Sequence, residues 1–420
     1  MGEYEMVLNN FDHLIDKYAE LFVKTGVNVQ EGHTVAINAS VENAQLARAI
    51  AKTAYQKGAR EVLIDWADDT LARLKFSHES KETLTEVPEY RIAKMNYLLD
   101  HGASRISIVD DDPDNLAGLD GEKIAATQKA LGQAMRPMRD ATQANKVSWT
   151  VAAAASPAWA AKVFPDLDSQ EEQVDALWDA IFKAIHLYDD DPVASWEEKD
   201  KTLESKADEL NEANFTALHY KAPGTDLTVG LPKGHHWEGA GSFNARGERF
   251  MANMPTEEVF TAPDAKRIDG VVKSTKPLSY AGSIIDGMEF HFENGHVTKV
   301  TAERGQEVIE KLLELDEGSS SLGEVALVPH ESPISQSGLI FFNTLFDENA
   351  SNHLALGSAY AFNLEGGTEM SEAELKEAGL NRSTTHVDFM IGSDKMDIDG
   401  IKEDGSKVPV FRNGTWADNF

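Results

Sequence analysis

The chain has 420 residues, 41% of them hydrophobic and 26% charged, and it contains no cysteine. That length favours two domains over one core, and the missing thiols exclude disulfides, thiolate metal sites, iron–sulfur clusters and thiol nucleophiles. A net charge of −32, from 71 acids against 39 bases, gives a surface that repels nucleic-acid phosphates and anionic lipid, so neither nucleic acid nor membrane is an expected partner.

The first residues mix charges among the apolar positions and show no basic segment followed by an apolar one, so no signal peptide is predicted. No stretch reaches the roughly 18 apolar residues of a membrane span. The expected location is cytoplasmic. Phe11, Leu14, Ile15, Tyr18, Leu21 and Phe22 recur at helical spacing and predict a helix over 10–24. Residues 33–38 read as a strand, 41–57 as an alanine-rich helix ended by Gly58, and 61–65 as the next strand. This strand–helix–strand order with short connections is a parallel βαβ unit. Strands over 105–109 and 147–153, with a helix over 121–135 between them, extend the pattern. The N-terminal part, 1–214, is therefore expected to be an α/β domain with a largely parallel sheet. It closes with two acidic helices over 169–214, broken at 189–192.

After residue 214 the texture changes to short strands over 227–231, 288–293 and 296–301, with one helix over 306–315. Asn294-Gly295 between two of these strands signals a tight hairpin. The C-terminal part, 215–420, is expected to be an α+β domain rich in antiparallel strands.

Several motif matches fail. Residues 400–407 have the glycine spacing of a phosphate loop but reverse the Lys-Ser order. Residues 110–121 start like a calcium loop but carry Asn115 and Gly121 where glycine and glutamate are needed. Neither a zincin His-Glu-x-x-His, nor a Gly-x-Ser-x-Gly elbow, nor a dinucleotide glycine turn occurs. His235 and His236 read as a surface or hairpin feature.

One constellation survives. Residues 253–260 (NMPTEEVF) place Glu257 and Glu258 before an apolar step, and Glu324 opens a buried-looking strand over 323–328 (GEVALV). Glu348 and His353 lie within 343–357 (NTLFDENASNHLALG), with Tyr360 seven residues past the histidine. His386 and Asp388 sit two apart in 383–391 (STTHVDFMI), so both leave the same face of a strand. Each piece has an ordinary explanation: a His–Asp hydrogen bond, acids in a first helical turn, a tyrosine in a core. Together the acids and imidazoles supply enough oxygen and nitrogen for two divalent ions, and without thiolates such a site suits hard or borderline metals: zinc, cobalt, manganese or, less well, magnesium.

These four segments resemble the thermophilic metalloaminopeptidase family of the aminopeptidase T and aminopeptidase S type, and the likeness runs over nearly the whole chain. The resemblance implies a metal-dependent exopeptidase that releases N-terminal residues from short peptides with a free N-terminus. It implies two divalent metals held by Glu258, Glu324, His353, His386 and Asp388, with Glu324 bridging. Glu348 matches a ligand or general base, and Tyr360 matches a residue that assists a metal or the oxyanion. A homodimer enclosing its active sites is implied as well. The alternatives are another two-metal amidohydrolase, or a metal- or peptide-binding protein with a closed coordination shell and no catalysis.

Overall fold

The computed structural model describes residues 2–420 apart from 111, 113, 114, 281, 282 and 419, with side chains from residue 10 onward. Three positions of the rejected calcium-loop match, 111, 113 and 114, thus lie outside the described residues. The chain forms two compact units: residues 1–198 with 241–255, and residues 199–240 with 256–420. Among the described residues no helix is long and apolar enough to cross a membrane.

The first unit is built on a four-stranded sheet in which every pairing is parallel. Its order is Glu61–Ala67, Thr34–Ser40, Ser104–Val109, Trp149–Ala153. The crossover helix Ala44–Gln56 buries Leu46, Ala47 and Ile50, as its alanine-rich periodicity requires. The predicted first helix runs Gly2–Leu21 and continues as a wider turn through Gly26. Between the second and third strands lie three helices that the hydrophobic pattern did not reveal: Asp69–His78, Lys81–Thr85 and Glu89–Asp100. The first buries none of its side chains, so it carries no apolar stripe. Its start is set instead by Asp68, whose carboxylate accepts from the Leu71 amide.

The second unit holds an eight-stranded and a four-stranded antiparallel sheet. The hairpin Glu289–Glu293 to His296–Thr301 belongs to the larger one. Its two turn residues, Asn294 and Gly295, both have positive φ, the geometry that Asn-Gly turns favour. The smaller sheet runs, edge to edge, His386–Met390, His353–Gly357, Leu322–Leu327, Val259–Thr261. Its strands alternate two kinds of residue. Val325, Leu327, Leu354, Leu356, Val387 and Phe389 form one buried face, and Phe389 packs on Phe290 of the larger sheet with ring centroids 4.7 Å apart. The other face carries the acids and imidazoles singled out above.

Two glycines let these strands approach. Gly323 lies at a register shift between Leu322 and Glu324, and a Cβ there would meet the Gly357 carbonyl oxygen at 2.4 Å. Gly357 has φ +109°, and its Cβ would meet the Thr385 carbonyl at 2.2 Å. Gly357→Ala is therefore expected to lower unfolding stability by about 1–3 kcal/mol, read as a shifted midpoint in chemical denaturation. An unchanged midpoint would mean that the strand end is not constrained.

Candidate metal centre

Register brings the distant residues together. Glu324 pairs across from Ala355, and Ala355 pairs across from Asp388. Directly opposed residues share a face, so both carboxylates project from one side with only a methyl group between them. On the same face, His353 lies two residues before Ala355, and His386 pairs across from Gly357. Glu258 enters from the far side, just before the Val259–Thr261 strand. The small residues Ala355 and Gly357 leave the space over the sheet open for the larger groups.

The side chains form two groups that share one member. Glu258, Glu324 and His353 present ligand atoms within 4.8 Å of one another, and so do Glu324, His386 and Asp388. Glu324 Oε1 lies 3.5 Å from His353 Nε2, and Glu324 Oε2 lies 3.6 Å from His386 Nε2. Each oxygen of one carboxylate thus faces a different imidazole. Glu258 Oε2 stands 3.2 Å from His353 Nε2, and Asp388 Oδ1 stands 3.5 Å from His386 Nε2.

The arrangement fits divalent cations on two counts. Glu258 Oε2 and Asp388 Oδ1 are buried and make no hydrogen bond of acceptable geometry, which is costly for carboxylate oxygens. Both imidazoles also turn their other nitrogen to a main-chain carbonyl. His353 Nδ1 meets Ser351 O at 3.3 Å, and His386 Nδ1 meets Ser358 O at 2.8 Å. An Nδ1–H donating there leaves the Nε2 lone pair aimed at the cluster and fixes the ring, as the outer hydrogen bond of a metal-binding histidine does.

The electrostatics report a shortage of positive charge. Burial alone would lower the His353 pKa, but the Glu258 and Glu324 carboxylates outweigh it and lift the ring well above its ordinary value. His386 rises to about 10, burial again being overcome by Asp388 and Glu324. Burial raises the Glu324 carboxyl, opposed by the His353 and His386 imidazoles that face its two oxygens. Burial pushes the Asp388 carboxyl up, but the charge and close contact of His386, together with the charge of His353, outweigh it and leave Asp388 below the usual range.

Glu348 belongs to neither group but is buried beside both. Burial drives its carboxyl well above the usual range, and the charges of Asp388 and Glu258 add to this. Tyr360 is partly exposed, with its ring 5.2 Å from the His386 ring and stacked on Phe362. Its hydroxyl pKa is raised well above normal by burial and by the nearby acids Glu324 and Asp388. His235 and His236 join neither group. Of the surface or hairpin feature expected here, His235 follows a turn at 233–234 and is buried rather than on the surface, with Nδ1 3.0 Å from Pro232 O, while His236 is exposed. Trp237 beside it is buried as well, which anchors this short segment in the core.

Sequence reasoning missed the supports around these groups. Glu257 is held by Lys199, Nζ to Oε2 2.6 Å, and its amide donates to Asn349 Oδ1 at 2.7 Å. Neither partner carries a motif, and only the fold brings Lys199 and Glu257 together across 58 positions.

The acids and imidazoles that converge on one sheet face make a candidate metal centre, and comparison with known proteins places the chain among metalloproteases. Residues 11–416 match the thermophilic metalloprotease (M29) family, to which the chain belongs. It is 57% identical to aminopeptidase PepS of Streptococcus thermophilus over 412 residues, covering 98% of this chain and all of that one. It is 42% identical to aminopeptidase T of Thermus aquaticus, again over 98% of this chain and all of that one. The solved structure of wild-type AmpT from Thermus thermophilus superposes with a TM-score of 0.91 at 42% identity, covering 97% of this chain and 100% of that one.

Because an ion ligated by these groups binds the folded arrangement and not the unfolded chain, it adds stability by mass action. A divalent ion at about 100 times its dissociation constant is expected to contribute about 2.7 kcal/mol. Thermal denaturation with zinc and with EDTA measures this, and equal midpoints would contradict the cation-binding reading.

Proposed function

We propose that this chain is an aminopeptidase that uses two divalent ions, one on each side of Glu324, to release N-terminal residues from short peptides. The observation that carries the reading is the shared carboxylate: Glu324 belongs to both ligand groups, and each of its oxygens faces a different histidine. Glu258, Glu324 and His353 would hold one ion, and Glu324, His386 and Asp388 the other. Zinc, cobalt, manganese and, less well, magnesium suit such ligands. When bound, a divalent pair supplies Lewis-acid polarisation of the scissile carbonyl and a lowered pKa for the attacking water.

The chain's own residues supply the rest. Glu348, buried and with its affinity for protons raised, takes the proton from the attacking water and returns it to the leaving amine. Tyr360, whose hydroxyl is held well above its ordinary pKa by burial and the nearby acids, donates its O–H to the oxyanion that develops on the former carbonyl. The acids around the site favour the positively charged or amine-bearing end of a peptide over its carboxylate end. The remaining elements of the proposal are a homodimer, a cytoplasmic location, and a division near residue 214 between an α/β domain and the α+β domain that bears the site.

An unused carboxylate and a phenol beside the ligand groups favour an enzyme over a closed binding site, which would need neither. Two outcomes test the reading. The metal-loaded protein is expected to cleave leucine p-nitroanilide and to leave its N-acetyl derivative intact, with activity lost on chelation and restored by metal. Equal cleavage of both compounds would point to a general amidohydrolase. Glu348→Gln is expected to keep its metal content while kcat falls by about 10²–10⁴, measured by steady-state kinetics beside elemental analysis. Loss of metal in that variant would make Glu348 a ligand instead.

A further inference from the structure

We infer that Asn349 is a positioning residue of the centre, tying the Glu258 segment and the Glu348 turn into one frame; this rests on the metal-centre reading above. Glu258 and Glu348 reach the cluster from segments far apart in sequence, and neither segment is a long regular element. Glu348 begins a single short turn, Glu348–Ala350, after the four-residue helix Thr344–Asp347. Glu258 lies in irregular chain just before its strand. Helix propensity or a sheet ladder therefore fixes neither one.

The side chain of Asn349 joins the two. It is fully buried, its Oδ1 accepts from the Glu257 amide at 2.7 Å, and its Nδ2 donates to the Leu345 carbonyl at 2.9 Å. Only one orientation of the amide satisfies an N–H on one side and a carbonyl on the other, so the two partners also fix the rotamer. The main-chain carbonyl of Asn349 is held in turn by Ser332 Oγ at 2.9 Å. From the last residue of the short helix, the Asp347 carboxylate reaches back to accept from the Phe341 and Asn343 amides at 2.8 and 3.1 Å. The Glu348 turn is thus pinned on both sides, and Asn349 is the link from it to the chain that delivers Glu258. Lys199 holds the adjacent Glu257 side chain at 2.6 Å, so the side chain and the backbone of that residue are both restrained.

Without the asparagine amide, the buried Glu257 N–H and Leu345 C=O lose these partners, and the two acids can shift relative to each other. Metal ligands displaced by fractions of an ångström bind more weakly, and loss of such outer supports costs about 10–100-fold in metal affinity or activity. Purely structural damage would instead lower stability and leave the affinity of the folded molecules intact.

The test uses the full chain, stripped with a chelator, with zinc as the probe. Zinc affinity is measured by competition with a chromophoric chelator on protein that elutes as folded in gel filtration, together with the thermal midpoint of the metal-free form. Asn349→Ala is expected to weaken zinc binding about 10–100-fold and to lower kcat more than it changes KM. Asn349→Ser, which keeps a polar group in the space, carries the same expectation and is the variant to read should the alanine chain not fold. Unchanged zinc affinity in folded protein, with only the metal-free midpoint lowered, overturns the inference. Glu258→Gln in the same assay separates the two levels of the account. A wild-type chain that binds no zinc defeats the metal reading itself. Loss of zinc in Glu258→Gln alone, with Asn349→Ala unaffected, defeats only the role given to Asn349.

Discussion

The structure turns on the concentration of negative charge at Glu324. Its carboxylate is buried, as are those of Glu258, Glu348 and Asp388. Moving one carboxylate out of water is costly, and gathering several without a counterion compounds the cost through mutual repulsion. The two histidines supply part of the missing charge when protonated, which is why their proton affinity is raised despite burial. In the proposed centre divalent cations would supply it more completely, with the same imidazoles as ligands through the lone pairs that the main-chain carbonyls of Ser351 and Ser358 leave free.

A sheet is well suited to hold such a cluster. Its period of two separates a face that can be entirely apolar from a face that can be entirely polar. Here the apolar face, including Phe389 against Phe290, anchors the strands. The ladder then fixes the spacing of the polar face residue by residue, with Asp388, Ala355 and Glu324 in one row. Gly323 and Gly357 permit the close main-chain approaches at the end of this row. The residues outside the ladder, Glu258 and Glu348, need other restraints, and side-chain hydrogen bonds to backbone provide them.

How much of this the sequence discloses depends on the kind of information each element uses. The parallel strands of the first unit and the Asn294-Gly295 hairpin announce themselves through apolar runs and turn chemistry. The helix Asp69–His78 does not, because it lies with no buried side chain and its start is marked only by the Asp68 cap. Asp388 and His386 are legible as a pair because two positions on a strand share a face. That Glu324 stands between Asp388 and Glu258 depends on strand order, which no local pattern encodes; only resemblance to a known family suggested it. Asn349 and Lys199 are ordinary polar residues in sequence, and their role exists only through contacts made by the folded chain.

Anomalous scattering from crystals grown with zinc tests whether two cations share Glu324. Two peaks are expected, one contacted by Glu324, Glu258 and His353, the other by Glu324, His386 and Asp388. A single peak, or peaks that Glu324 does not touch, would contradict the shared site.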